Sequence, residues 1–169
     1  NNLFEMKTMI QSNPTTAELQ RVVEQNRNRA TVVNDRAGAR AALGEYLYHM
    51  GKTAHRQGQF ERAQDALVES LVLSDGAEDM RGVAIAIASL AVSAHTQGRD
   101  VVAARLFGLA DLVASKHRVA IWPPPEEHDY AAQVASTQES LGSQEFAHAT
   151  VAGESLTVED AIALVWRGS

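Results

Sequence analysis

Ala54-His55-Arg56-Gln57-Gly58-Gln59-Phe60-Glu61-Arg62-Ala63 returns as Ala94-His95-Thr96-Gln97-Gly98-Arg99-Asp100-Val101-Val102-Ala103, with Ala, His, Gln, Gly and Ala in register. The spacing, Gly58 to Gly98, is 40 residues. Self-similarity at such a period marks a repeat architecture, in which each unit buries its apolar face by stacking on the next. The unit reads as helical. Leu47, Met50, Gly51 and Ala54, and again Ile87, Leu90, Ala91 and Ala94, follow the i, i+3, i+4, i+7 spacing of one helix face. Each Gly is expected to end its helix, because without a Cβ it takes the left-handed conformation that a helix C-terminus favours. A second helix then returns through Ala63, Ala66, Leu67 and Leu71, or through Ala103, Leu106, Phe107 and Ala110.

Around this pair the 169 residues read as a single all-α domain of about eight or nine helices. Leading helices are expected over 1–34, repeat one over 35–76, repeat two over 77–118, and capping helices over 119–169. Hydrophobic residues make up 45% of the chain and aromatics only 5%, a profile suited to close helix packing rather than to sheets. The formal charge of −6 argues against direct nucleic-acid binding, which rests largely on neutralised phosphates. With no cysteine there is neither a disulfide framework nor a thiolate site. No run reaches the roughly 18 apolar residues of a membrane span, and no basic-then-apolar leader opens the chain. A cytoplasmic setting is expected. The chain opens on Asn1 rather than Met, so it reads as a piece of a longer polypeptide or a processed one.

Local signals place the elements. Leu3, Phe4, Met6, Met9 and Ile10 read as a short packed helix, and Thr15 or Thr16 as the cap of a second. Arg21, Arg27, Arg29, Arg36 and Arg40 form either a patch for an acidic partner or a solvated helix face broken by Glu18, Glu24 and Asp35. A long helix is expected from Asp35 to Gln57, its partner from Gln59 to Ser74, and a connection at Ser74-Asp75-Gly76-Ala77. The next helix, from Glu78 to Gln97, is apolar on nearly all sides between Val83 and Val92 and is expected to be buried all round. Asp100 is read as the cap of the following helix, which ends in Lys116, His117 and Arg118. Trp122 with Pro123-Pro124-Pro125 forms an extended loop whose indole plugs a groove or meets a partner. A further helix, with Pro125 in its first turn, runs to about Leu141 and stops at Gly142, and a short one follows around Ser143 to Val151. In the last, Thr157 and Asp160 imitate a capping box ahead of a stripe of Val158, Ala161, Ile162, Val165 and Trp166.

The repeated stretch resembles the tetratricopeptide repeat. Leu47, Met50-Gly51, Ala54, Gly58, Phe60 and Ala63 fill that pattern in order. In the second copy Ile87, Leu90-Ala91, Ala94, Gly98 and Ala103 do so, with Asp100 where the aromatic belongs. The resemblance implies an α-solenoid of antiparallel helix pairs that binds a partner in a groove lined by the first helix of each pair. That groove would be lined by Glu45, Tyr48, Lys52, His55 and Arg56 in one repeat, and by Ala88, Val92 and His95 in the next. The two histidines either contact a ligand there or serve their own helix ends. A second resemblance covers about residues 35–168. Ala103 to Gly108, Pro123 to Pro125 with Glu126, Glu127 and Tyr130, Leu141-Gly142 with Phe146, and Gly153 to Ile162 look like the closing segment of large bacterial LuxR-type ATP-binding transcriptional regulators and related predicted ATPases fused to nucleotide cyclases. It implies a sensor or scaffold module of a signalling protein, which receives a protein or small-molecule signal. The alternatives are a self-standing adaptor or oligomerisation scaffold, and a regulatory domain of a fused cyclase.

Chemistry-bearing motifs are missing. There is no Gly-x-x-x-x-Gly-Lys-Ser/Thr loop, no His-Glu-x-x-His and no Gly-x-Ser-x-Gly elbow. Glu127-His128-Asp129 stands at a helix start, where its acids serve the dipole better than a metal. No cofactor, metal or catalytic residue is expected, and partners are a protein, a peptide or other domains of the same polypeptide.

Overall fold

A computed structural model describes Arg21, residues 36–121 and residues 124–167; among these the chain forms seven helices and no strand. The leading helices expected over 1–34, apart from Arg21, and Trp122 with Pro123 lie outside the described residues. The helices are α1 (Arg36–Arg56), α2 (Phe60–Gly76), α3 (Met80–Thr96), α4 (Asp100–His117), α5 (Pro124–Leu141), α6 (Ser143–Gly153) and α7 (Val158–Arg167). They fall into two compact units, Asn1–Asp79 and Met80–Ser169.

In the first unit α1 and α2 form an antiparallel pair. Leu43, Tyr46 and Leu47 are buried together, with Met50 and Leu73 packed against them. Two glycines set the approach. A Cβ on Gly51 would lie 2.7 Å from Leu67 Cγ, and one on Gly44 would lie 2.9 Å from Ser74 Oγ. Ser70 Oγ donates to the Gly44 carbonyl at 2.7 Å, so a buried hydroxyl is satisfied where the helices meet.

The turn after α1 is the one the repeat predicts. Gly58 has φ +72°, Gly58 N–H donates to the His55 carbonyl, and Gln59 N–H donates to the Ala54 carbonyl at 2.9 Å. This is the hydrogen-bonding of a left-handed helix stop. Gly98 after α3 repeats it, with φ +72° and Arg99 N–H on the Ala94 carbonyl at 2.9 Å. The same closure also follows α2 and α4, without glycine. Glu78 (φ +57°) and Arg118 (φ +54°) are the left-handed residues, with Asp79 N–H on Ser74 and Val119 N–H on Ala114. Left-handed stops therefore recur every 20 residues, at 58, 78, 98 and 118. The expected connection at Ser74 to Ala77 is corrected accordingly. α2 continues through Gly76, and the stop is Glu78, because the closing bonds fix the left-handed residue four positions beyond Ser74.

In the second unit α3 buries Val83 to Ala88, Leu90, Ala91, Ser93 and Ala94, as its all-round apolar sequence demands. Helix α4 contacts α3, α5, α6 and α7. It meets α6 backbone to backbone. A Cβ on Gly108 would lie 2.1 Å from the Thr150 carbonyl oxygen, and one on Gly153 would lie 1.9 Å from that of Arg105. Phe107 and Tyr130 meet edge to face at 5.5 Å and join α4 to α5.

Helix α5 starts at Pro124 with Pro125 in its first turn, as expected, so the extended loop expected through Pro125 is corrected to end before Pro124, since proline is accommodated in a helix's first turn; the helix stops at Gly142 (φ +82°). At α7 the capping box is formed. Asp160 N–H donates to Thr157 Oγ1 at 3.1 Å, and Thr157 N–H donates to Asp160 Oδ2 at 3.0 Å. Of its expected stripe, Ala161 and Val165 are buried, but Trp166 is 46% exposed. Asp100 is likewise corrected. It is the first residue of α4 rather than its cap, Arg99 holds the cap position, and no side chain caps that end.

Candidate functional site

The two copies of the repeated stretch carry different side chains on the same backbone turn. In the first, the His55 ring meets Phe60 edge-on, with centroids 5.5 Å apart. Burial holds the His55 imidazole below its ordinary pKa, and the charge of Arg56 adds to the effect. One turn earlier, the Lys52 ammonium lies 5.8 Å from the centre of the Tyr48 ring, within cation–π range. Neighbouring Tyr46 is buried, and its phenol is pushed up to about 12 by that burial and by Glu45.

In the second copy, residue 100 is an aspartate where residue 60 is a phenylalanine, and the histidine turns polar. His95 Nδ1 lies 2.5 Å from Asp100 Oδ1, and Nε2 lies 3.1 Å from Ser136 Oγ on α5. Ser140, one turn along α5, donates to the other carboxylate oxygen, Asp100 Oδ2. An ionised carboxylate only accepts, so Nδ1 carries the proton that faces Asp100, and in that tautomer of the uncharged ring Nε2 is open to accept from the Ser136 hydroxyl. Partial burial works to raise the Asp100 pKa, but the hydrogen bonds from Ser140 and His95 and the histidine's charge together hold it below the usual carboxylate range. Both side chains keep 16% of their surface exposed. Beside them, Arg99 turns its guanidinium to the end of α7 and donates to the carbonyls of Leu164 (3.1 Å) and Val165 (3.0 Å). A cation is favoured there, on the orphan carbonyls of a helix C-terminus.

The eight groove residues divide between the two units. Glu45 and Arg56 are exposed, Lys52 and His55 half-buried, and Tyr48 buried at 8% exposure, all in the first unit. In the second unit Val92 is half-buried and Ala88 has no exposed surface. Tyr48 and Lys52 are brought into contact, whereas His95 is drawn to Asp100 and Ser136.

Sequence reasoning passed over Arg99, Ser136 and Ser140, and gave Asp100 only a capping role. One signal was present in Asp100, the departure of the second copy from the aromatic of the first. The i, i+4 pair Ser136 and Ser140 put two hydroxyls on one face of α5, but nothing in the spacing told what they would face. Among the described residues no group of three His, Cys, Asp or Glu is placed to hold a metal ion, and no helix is long and apolar enough to cross a membrane. No family model, curated protein or solved structure matches the chain.

Proposed function

We propose that the chain is a tetratricopeptide-like helical-repeat module that binds a protein or peptide segment, or another domain of its own polypeptide, within a bacterial cytoplasmic signalling or transcriptional regulator. The observation that carries this reading is the recurrence, 40 residues apart, of one turn with one set of closing hydrogen bonds and two different sets of side chains. A scaffold that repeats its backbone and varies its surface is built for recognition. The surface of the first copy sets Lys52 over the buried Tyr48 and, with His55 and Arg56, offers cationic donors on a chain of net charge −6. Its natural complement is an acidic segment with some apolar surface.

The test is fluorescence anisotropy with a panel of labelled acidic-aromatic peptides, set against charge-scrambled and basic ones. Binding of the acidic set is expected to weaken by roughly 1 to 3 kcal/mol in Lys52→Glu/Arg56→Glu, with the circular-dichroism spectrum unchanged, since the exposed Arg56 and the solvent-reaching ammonium of half-buried Lys52 add little to stability. Equal binding by the parent and the double reversal would overturn the assignment of this surface.

A further inference from the structure

We propose that Ser136 is a nucleophile, activated by His95 and Asp100, that takes an acyl group from a small activated donor such as a thioester or an acyl phosphate. The inference goes beyond the binding reading and does not rest on it. Three groups stand in the order that nucleophilic catalysis requires: a hydroxyl 3.1 Å from an imidazole nitrogen, and a carboxylate 2.5 Å from the other nitrogen. The carboxylate is itself held by Ser140, which fixes the ring's tautomer and its aim.

The direction of the Ser136 hydroxyl is the second observation. Within helices, Ser and Thr commonly bond back to the carbonyl four residues before them. Thr53, Ser89, Thr96, Thr137 and Thr150 do so here. Ser136 instead reaches off α5 to His95, and it is exposed, so a small donor has access to it.

In the reaction Ser136 Oγ attacks the donor's carbonyl carbon while its proton passes to His95 Nε2. A C–O bond forms, the C–S or acyl–phosphate C–O bond breaks, and the proton moves from the imidazolium to the departing thiolate or phosphate. Nothing is oxidised or reduced. Ser136 lies inside α5, so the backbone N–H groups around it are committed to the helix and give no oxyanion hole. Loss of one such donor costs about 100- to 1,000-fold in other enzymes. The site therefore acylates slowly and retains the acyl group, which makes it a modification site rather than a turnover site. The ester lacks the O–H that bonds His95, so acylation also removes the Ser136–His95 link and leaves Ser140 on Asp100 to join α5 to the turn.

The experiment incubates the full chain with p-nitrophenyl acetate, follows p-nitrophenolate release and maps the acetyl group by peptide mass spectrometry. Ser136 is expected to be acetylated well ahead of Ser115 and Ser155, exposed serines bonded only to backbone carbonyls. This internal comparison holds whether or not a variant folds. In His95→Gln the Ser136 rate is expected to fall by roughly 100-fold, and Asp100→Asn should fall in the same direction with helicity retained. Acetyl groups confined to lysines and the amino terminus, Ser136 labelled no faster than Ser115, or an unchanged rate in a folded His95→Gln would each overturn the proposal.

Discussion

At residue 60 the chain carries a phenylalanine and at the matching residue 100 an aspartate, and from that difference the two turns take separate roles. The first keeps its histidine against its own aromatic, 5.5 Å away. The second sends His95, Arg99 and Asp100 outward, where they hold Ser136 and Ser140 of α5 and the last carbonyls of α7. The side chain of Gln59, which stands where Arg99 does, accepts from Arg62 in its own helix start. The backbone is the same in both, because the left-handed glycine and the bond back to Ala54 or Ala94 fix it without help from positions 55, 59 and 60. Those positions are free to vary, and the second copy uses them as a clasp for the helices that follow.

Exchanging the two residues should break this comparison most sharply. Asp100→Phe is expected to cost about 3 kcal/mol, since it removes two hydrogen bonds to a charged group and leaves His95 and Ser140 without their acceptor. Phe60→Asp gives up one half-buried ring contact and should cost about 1 kcal/mol. Urea midpoints of the two variants measure the difference, and equal losses would mean that the second turn is no clasp. The carboxylate also carries a pH dependence. Its pKa is lowered in the folded chain, so its contribution is present above the usual carboxylate range and is lost as pH falls through the lowered value.

The part that the turns share should respond alike. Gly58→Val and Gly98→Val are each expected to destabilise by about 1 to 2 kcal/mol, because both residues sit at φ +72° and a β-branched side chain is strained there. A Cβ meets nothing within 4 Å at either glycine, so the cost is conformational rather than steric. Glu78→Gly is the small converse. Relief of left-handed strain is offset by the entropy of a new glycine, and a change within about 0.5 kcal/mol is expected. A loss at Gly58 several times that at Gly98 would show that the turns are not equivalent.

The sequence carried the helical pairs because their apolar spacing, their glycine stops and the Thr157–Asp160 box are all local. It misplaced the end of α2, since a glycine at 76 is a stronger local sign than a glutamate at 78, yet the closing bonds choose by distance from Ser74. It also assigned Asp100 to a cap. An aspartate at a helix start is a cap by default, and only the placement of α5 reveals two serines and a histidine as better partners. The crossing of Gly108 with Thr150 and of Gly153 with Arg105 joins residues 42 and 48 positions apart, a pairing that no periodicity encodes. Trp166 was read into the buried stripe from its spacing alone. The structure leaves it half out, since α7 buries only the face of Ala161 and Val165.

Residues 95 to 100 hold the C-terminal helices, a role that residues 55 to 60 do not share. Native-state hydrogen exchange on the full chain tests it most directly, because local opening is read helix by helix. In Asp100→Ala the amides of α5, Pro124–Leu141, should lose protection before those of α1 and α2, and in Phe60→Ala the protection of α5 should stay at the parent's level. Unchanged protection of α5 in Asp100→Ala, or an equal loss in both variants, would contradict the account.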